Sequence, residues 1–468
     1  MASNSKSRRR QRRDKQHKKP KSKSASKNEQ PPTGPTSVHD VPDHLLELIL
    51  LRLRSSACIL RAAAACKRWR RAITATGFLS RCLHARSYVA GHYHAFDPDW
   101  IDHGTPPITS NPAFLPSPSS LGAAVDARRF SLDDGGVLPD SDSGWALADS
   151  RGSLLLLFKR ANSHTSPDPD LLVCEPLTRR RQGILTEYST CLGVFLLDGD
   201  RHQAAGRTGM FDDFRVLTVR RECHVLEEEE EEEGPVMPVA CVFSPGSDAG
   251  GWHDLPSEST NSAAISLPSA TGRVRFVGRA DGSLYWAIKE DDGGVAMLAL
   301  DEAAMAFSRV AFPADAADDG PNPSYDRWSF RVIGGGKEGA PHVVRMVRNE
   351  LMVLARRRGS GGEGDEWVWE VERRVRLREA TLGLPGREDT FFQRNAMIMA
   401  AHEEYVLVTP QEKTWLFSVE LDTMRVELQH ERNKYAGQAY PSQLPWPPSL
   451  TACATDERGR RRRRSSCR

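Results

Sequence analysis

Two histidine-containing motifs are the first candidates for chemistry in this chain of 468 residues. His92-x-His94 and Cys82-x-His84 carry side chains of the kinds that coordinate zinc. A structural zinc site needs two such ligand pairs, and neither a Cys-x-x-Cys pair nor a second His pair completes these motifs. We therefore interpret the histidines as surface or hydrogen-bonded core residues near strand ends, and we predict no metal and no cofactor.

A glycine-rich string, GGGKEG at 334–339, matches the G-x-G-x-x-G pattern of phosphate-binding loops. Such a loop holds phosphate where a helix begins directly after it, because the helix N-terminus supplies the N–H donors. Here Ala340-Pro341 leads instead into HVVRMV, which is typical of a strand. The string therefore predicts a hairpin turn.

Signatures of nucleophilic and acid–base catalysis are also missing from the sequence. There is no G-x-S-x-G elbow, and no Cys/His or carboxylate pair stands out. We therefore predict that the chain has no active site and is not an enzyme.

An amphipathic segment, VPDHLLELILLRLRSSACILRAAAACKRWRRAI at 41–73, is the element best suited to position binding residues. Pro42 stands where a helix can begin, and Asp43 in the first turn suits the helix dipole. A second apolar segment at 58–65 and a basic turn at 67–71 follow. The apolar residues of the first segment recur with helical periodicity and are predicted to share one face: Leu45, Leu46, Ile49, Leu50 and Leu53.

So small a unit cannot bury all these leucines in a core of its own. The face is therefore expected to contact either the chain's own downstream domain or another protein. Periodicity alone leaves both alternatives open.

The order of residues in this segment strongly resembles the F-box. The resemblance covers residues 38–80 and rests on a Pro-Asp start, Leu-Leu-x-x-Ile-Leu, a further Leu, a gap, and Ala-Cys-Lys-x-Trp-Arg. Val41 and Arg54 depart from the pattern, where Leu and Pro are usual. The family folds as three short helices and binds a Skp-type adaptor, which links substrates to a cullin–RING ubiquitin ligase. The resemblance implies these contact residues: Pro42, Leu45, Leu46, Ile49, Leu50, Leu53, Cys66 and Trp69.

Composition limits the remaining classes of protein. With 39% hydrophobic residues, 36 Gly and 30 Pro, the chain is expected to form many turns, and hence strands rather than long helices. The longest apolar runs span only a few residues, so we predict no membrane-spanning helix, and no secretory signal is recognised. Nine irregularly spaced cysteines indicate reduced thiols. These features predict a soluble protein of the nucleus and/or cytoplasm.

Charge is strongly segregated along the chain. Residues 1–30 carry a net charge of +10 and residues 456–468 a net charge of +5, so a total of +2 leaves −13 for the rest. An acidic body argues against a folded nucleic-acid-binding surface. The tail at 1–37 is predicted to be disordered. Its basic runs indicate nuclear import or polyanion binding, and the alternative is a solvated tail without such a role. The basic residues are Arg8, Arg9, Arg10, Arg12, Arg13, Lys18 and Lys19.

Between about residues 145 and 430 the sequence repeats a tight turn, an apolar strand, a variable loop and an alternating strand. Such self-similar units predict a β-propeller, with an open sandwich as the alternative. We estimate about six blades, with residues 87–135 or the C-terminal segment completing the ring. The region also resembles the F-box-associated, propeller-like region of plant F-box proteins, and YPSQLPWPPSL at 440–450 resembles its closing segment.

Two further features are assigned structural rather than functional roles. Seven consecutive glutamates at 227–233 repel one another and are predicted to form an exposed loop. Five tryptophans fall mostly in predicted strands and are interpreted chiefly as blade core, although a few could line a binding face: Trp286, Trp328, Trp367, Trp369 and Trp415.

The predicted organisation is a mainly β protein with a small N-terminal α unit. We expect a disordered basic tail at 1–37, a three-helix F-box at 38–85, a propeller-like domain at 86–450 and a basic tail at 451–468. The resemblance implies a substrate-recognition adaptor of an SCF-type (Skp–cullin–F-box) ubiquitin ligase, whose propeller binds a protein substrate of unknown identity. Two alternatives stay open: a nuclear β-propeller scaffold without a ubiquitin-ligase role, and a propeller enzyme.

Overall fold

The structure, a computed structural model, is mainly β, with several antiparallel sheets and few helices. The predictions for residues 1–37 and 451–468, including the basic runs, lie outside the described residues. The structure describes residues 41–52, 56–75, 78, 88–95, 111–117, 127–133, 137–139, 144–159, 170–186, 191–198, 211, 214–223, 236–245, 251–261, 265–290, 294–310, 328–335, 340–358, 367–410, 412, 415–430 and 438–444.

Three short helices open the described region: α1 (Asp43–Leu51), α2 (Ser56–Ala65) and α3 (Lys67–Thr74). Two single-turn helices, α4 (Ser257–Thr260) and α5 (Leu377–Ala380), lie between strands.

A three-stranded sheet joins strands from distant parts of the chain. Its order is β2-β1-β23, and both pairings are antiparallel. The strands are β1 (Tyr88–His94), β2 (Ala113–Pro116) and β23 (Ala439–Leu444).

Two four-stranded sheets follow, each built from strands consecutive in sequence. The first contains β3 (Trp145–Arg151), β4 (Leu154–Lys159), β5 (Leu171–Glu175) and β6 (Arg180–Ile184). The second contains β7 (Cys191–Asp198), β8 (Phe214–Cys223), β9 (Val236–Phe243) and β10 (Trp252–Asp254). The glutamate run at 227–233 falls in the connection between β8 and β9, outside the described residues.

An eight-stranded sheet consists of two such four-stranded halves. The halves meet at one parallel residue pair, Gly278 with Val332. One half contains β11 (Val274–Ala280), β12 (Ser283–Lys289), β13 (Val295–Asp301) and β14 (Phe307–Val310). The other contains β15 (Phe330–Ile333), β16 (His342–Val347), β17 (Glu350–Arg358) and β18 (Trp367–Arg376).

The last sheet contains β19 (Met397–Ala401), β20 (Tyr405–Thr409), β21 (Leu416–Glu420) and β22 (Val426–His430). The predicted repeat of turns and hairpins is therefore confirmed as successive antiparallel units. Residues 334–335 begin the connection between the antiparallel strands β15 and β16, so the glycine-rich string joins a hairpin and no helix follows it.

A register shift recurs in the first strand of several units, as in β3 between Leu147 and Asp149 and in β11 between Phe276 and Gly278. The strands β7 and β19 carry equivalent shifts against their hairpin partners. Such bulges bend a strand and change the direction of its side chains.

The first strands of the units contact one another in chain order: β3 with β7, β7 with β11, β11 with β15 and β15 with β19. The strand β23 contacts both β19 and β3. Each sheet is therefore covered by its neighbours. In β4, for example, Leu155 and Leu157 pack into one apolar cluster, whereas Leu154 and Leu156 pack into another. An unbroken apolar run thus forms a strand buried on both faces.

Candidate partner-binding surfaces

The three-helix unit has a core of its own. Leu46 and Leu50 of α1 are each only 1% exposed. They pack with apolar residues of α2 and α3 and with one residue that follows α3 in the chain. These residues are Ile59, Ala62, Ala63, Ile73 and Phe78. Among the described residues, this cluster and the side chains packed against it all lie between positions 41 and 78.

Polar contacts fix the start of α1 against α3. The carbonyl oxygen of Pro42 accepts hydrogen bonds from the backbone N–H groups of Leu45 and Leu46, at 3.1 and 3.0 Å. The Arg68 guanidinium of α3 donates to Asp43 Oδ1 at 2.8 Å and also to the carbonyl oxygen of Val41. The first turn of α1 is therefore held in place from both sides.

One stripe of α1 is apolar and exposed. Leu45, Leu48 and Ile49 are 44%, 51% and 53% exposed, respectively. Their spacing of three and four residues places them side by side on the helix surface. Sequence reasoning missed Leu48, although its position three residues after Leu45 in an apolar run was the available signal.

The structure corrects the predicted single face. Leu45 and Ile49 are exposed as expected, but Leu46 and Leu50 point into the unit's own core and cannot contact a partner in this conformation. The reason is geometric, because α2 and α3 cover one side of the wide apolar face of α1. Leu53 lies outside the described residues.

The remaining predicted contact residues support the helices. Pro42 precedes α1 as its N-cap residue rather than occupying its first turn. Cys66 caps α3, and its Sγ accepts a hydrogen bond from the Trp69 backbone N–H at 3.4 Å. Trp69 packs partly buried against the core of the unit. Cys66 and Trp69 therefore hold the third helix against the rest of the unit.

A second candidate surface lies in the β region. A cavity of about 490 Å³ is lined by residues on or just before the first strands of several units. Its volume falls within the range of small-ligand pockets. The lining residues are Ala148, Asp149, Arg275, Phe276, Trp328, Gln438 and Tyr440.

The carboxylate in this cavity is already engaged. Asp149 Oδ2 accepts hydrogen bonds from the Leu196 backbone N–H at 2.8 Å and from Arg279 Nη2 at 3.1 Å. Its Oδ1 accepts from the Ser150 backbone N–H at 2.9 Å. Arg279 also pairs with Glu302 at 2.8 Å. Both oxygens of Asp149 are therefore engaged in hydrogen bonds inside the protein.

The same ionic network ties neighbouring units together. Arg151 of β3 contacts Asp198 of β7 at 2.6 Å and Glu302, in the turn after β13, at 2.8 Å. Both carboxylates belong to residues that are buried. Removing one partner from such a pair would leave a buried charge uncompensated, which is strongly destabilising.

The tryptophans divide between core and cavity. Trp286 is fully buried and donates from Nε1 to the Leu192 carbonyl oxygen at 3.2 Å, and Trp369 is buried as well. Trp415 packs against an apolar cluster. Trp328 instead lines the cavity. The side chain of Trp367 lies outside the described residues.

The histidine motif at 92–94 lies on β1 and is buried. His92 Nε2 is 2.6 Å from the Tyr405 hydroxyl oxygen. Burial lowers the pKa of His92 well below its ordinary value, so its ring is neutral at neutral pH. Within the described residues no group of three or more His, Cys, Asp or Glu side chains could hold a metal ion. The other motif, at 82–84, is outside them.

Of the cysteines whose side chains the structure describes, these are free thiols rather than disulfide-bonded: Cys66, Cys174, Cys191 and Cys241. Burial raises the pKa of the Cys174 thiol to about 12, so that side chain is not a ready nucleophile.

Of the helices in the described part of the chain, none is long and apolar enough to cross a membrane. Comparison of the chain with models of known protein families finds no match, and comparison with curated proteins finds none either.

Proposed function

We propose that this chain is a substrate-recognition adaptor of an SCF-type ubiquitin ligase. Residues 38–85 would act as an F-box, and residues 86–450 would form a β-propeller of about six blades that holds the substrate. The observation that carries the proposal is the exposed apolar stripe of Leu45, Leu48 and Ile49 on a helical unit that already has a core.

The stripe suits a helix-in-groove contact, in which residues at positions i, i+3 and i+4 enter an apolar groove on the partner. A Skp-type adaptor is the partner that the F-box resemblance implies. Pro42 fixes the start of the helix, while Cys66 and Trp69 hold α3 behind it.

The cyclic order of contacts among first strands supports a propeller. Each unit places its first strand beside that of the next, and β23 contacts both β3 and β19. A bulge at a similar place in β3, β7, β11 and β19 is consistent with a repeated structural unit. With the sheet β2-β1-β23 counted as one blade and the eight-stranded sheet as two, the ring would have six blades.

The proposed contribution to ubiquitination is proximity rather than chemistry. A substrate held on the propeller would lie near the ubiquitin-charged enzyme recruited through the cullin, which raises its effective concentration. The chain itself would be a non-catalytic subunit acting in the nucleus and/or the cytoplasm.

Co-purification with a recombinant Skp-type adaptor tests the proposal. The double variant Leu45→Asp/Ile49→Asp places two charges in the groove, so binding should fall by at least about a hundredfold. Leu45→Met/Ile49→Met is the matched control, because it changes the same two positions and keeps them apolar. Equal recovery of the adaptor with the double variant and with wild type would refute the F-box assignment.

A nuclear β-propeller scaffold is the second candidate, favoured by the basic runs at 8–13 and 18–21. It predicts that wild-type protein recovers no Skp-type adaptor, while a reporter fused to residues 1–37 still accumulates in the nucleus. Affinity purification of the full chain with mass spectrometry separates the two candidates.

A further inference from the structure

The cavity of the β region has walls assembled from four units. Arg275 and Phe276 lie near the start of β11, whereas Trp328 lies two residues before β15 and Gln438 directly before β23. Asp149 comes from the middle of β3. The cavity thus lies where the first strands of separate units converge, at the end from which most of them begin.

Three aromatic side chains give the cavity a fixed, largely apolar surface. Phe276 packs at 4.6 Å from Phe195, measured between ring centroids. The Trp328 carbonyl oxygen accepts a hydrogen bond from the Ile398 backbone N–H at 2.7 Å. Tyr440 packs partly buried against an apolar cluster. Phe276 borders the bulge of β11, which lies between Phe276 and Gly278. Bulges are common next to binding sites, where they change the direction of a side chain.

The polar groups of the cavity favour an anion. Asp149 accepts hydrogen bonds through both of its oxygens, one of them from Arg279, so it offers little to a cationic ligand. Arg275 is exposed, and its Nε donates to the Gly272 carbonyl oxygen at 3.3 Å. No carboxylate of the described residues forms an ion pair with Arg275.

We propose that this cavity binds a peptide segment in which an aromatic side chain is followed by a carboxylate. The ring would stack among Phe276, Trp328 and Tyr440, and the carboxylate would accept from the Arg275 guanidinium in a charge-assisted hydrogen bond. Gln438 adds an amide that can bond to the peptide backbone. Trp, Tyr and Arg are also the residue types that dominate binding energy at protein interfaces.

As a site of substrate recognition, this inference rests on the proposed function. The binding itself does not, because the cavity and the stripe on α1 share no residue. A protein that fails to bind a Skp-type adaptor could still bind aromatic carboxylates here, and the reverse also holds.

Three small probes that carry the same fluorinated ring test the chemistry on the full chain by fluorine NMR. They are N-acetyl-4-fluorophenylalanine, its neutral primary amide, and the cation 4-fluorophenethylamine. We expect the carboxylate to bind roughly tenfold more tightly than the amide, as a charge-assisted hydrogen bond would give, and the cation to bind more weakly than both.

Arg275→Gln should abolish the preference for the carboxylate over the amide, because it removes the charge and leaves the aromatic walls. Trp328→Leu should weaken both probes together. Arg425→Gln is the matched control and should change nothing, since Arg425 is exposed and does not line the cavity. Circular dichroism and the thermal midpoint of each variant confirm that the sheets remain folded.

Tighter binding of the amide or of the cation by wild type would overturn the proposal. A preference for the carboxylate that persists in Arg275→Gln would overturn it too. Loss of that preference in Arg275→Gln, with Arg425→Gln unchanged, would support it.

Discussion

His92 on β1 and Tyr405 on β20 share a hydrogen bond, with 2.6 Å between the imidazole Nε2 and the phenol oxygen. The two residues are separated by 313 positions, so the bond joins the three-stranded sheet to the last four-stranded sheet. His402 stacks on Tyr405 with 5.2 Å between ring centroids, and its Nε2 lies 3.1 Å from Gln443 Nε2. These contacts lie at the junction between the two sheets.

This cluster should make stability depend on pH. Burial lowers the pKa of His92, and the neighbouring His94, His402 and His430 lower it further. Burial also lowers the pKa values of His402 and His430. A histidine with a lowered pKa in the folded state stabilises the protein above its unfolded pKa of about 6.5, and this contribution is lost as the pH falls towards the folded value.

We therefore expect the free energy of unfolding to fall between about pH 7 and about pH 5.5. His92→Gln can keep a hydrogen bond to Tyr405 without titrating, so its loss over this interval should be smaller by about 1 kcal/mol. Urea unfolding at both pH values measures the difference. An identical pH dependence in wild type and variant would exclude His92 as the source.

A second prediction concerns β23, which pairs with β1 from Tyr88 to His94. The Gln443 backbone N–H also donates to the Gly152 carbonyl oxygen at 2.9 Å, and Ser150 Oγ donates to the Pro441 carbonyl oxygen at 2.9 Å. Truncation after residue 430 removes all these contacts. We expect the thermal midpoint to fall by on the order of 10 °C.

Truncation after residue 444 is the matched control, because it keeps β23 and should melt like wild type. If both truncated proteins melt at the same temperature, β23 does not close the proposed ring, and an open sandwich becomes the better description.

Local features of the fold could be predicted from the sequence, whereas contacts between distant segments could not. The turn at Asp281-Gly282 could be predicted because Asp-Gly favours a two-residue hairpin turn, and both residues indeed have a positive φ, 47° and 75°. The strand that pairs with β1 could not be predicted from the sequence. The sequence left residues 87–135 and the C-terminal segment as separate ways of completing the ring, and the structure pairs the two with each other.

The candidate sites show the same limit. Helical periodicity identifies the apolar residues of α1 but cannot show which side of the helix α2 and α3 will cover. It therefore assigned Leu46 and Ile49 to one binding face, whereas Leu46 is buried and Ile49 is exposed. The cavity gave no sequence signal, because Asp149, Arg275 and Trp328 come together only when separate units pack side by side.

The division of α1 into a core side and an exposed side gives a third prediction. Leu46→Ala removes a side chain that is 1% exposed and should destabilise the helical unit by about 2–5 kcal/mol. Leu45→Ala, at 44% exposure, should cost well below 1 kcal/mol by comparison. Hydrogen exchange of amides in α1–α3 reports on this unit separately from the sheets. Equal loss of protection in the two variants would contradict the assigned core.

Gly278 on β11 gives the last prediction, because it approaches the backbone of Val332 on β15. A Cβ atom at position 278 would lie 2.1 Å from the Val332 carbonyl oxygen, and the φ of 153° already disfavours a side chain. The obstacle is backbone, so no rotamer change relieves it. Gly278→Ala should therefore push the two halves of the eight-stranded sheet apart, at a cost on the order of 3 kcal/mol.

Gly272→Ala is the matched control, since a Cβ atom there meets nothing within 4 Å. The midpoint of urea unfolding should fall for Gly278→Ala and stay near that of wild type for Gly272→Ala. Such a result would locate the loss at the contact between β11 and β15, because the two glycines precede and follow the start of the same strand. Equal midpoints for the two variants would show that β11 and β15 can separate at Gly278 without loss of stability. The contact between these two strands would then no longer support the proposed ring.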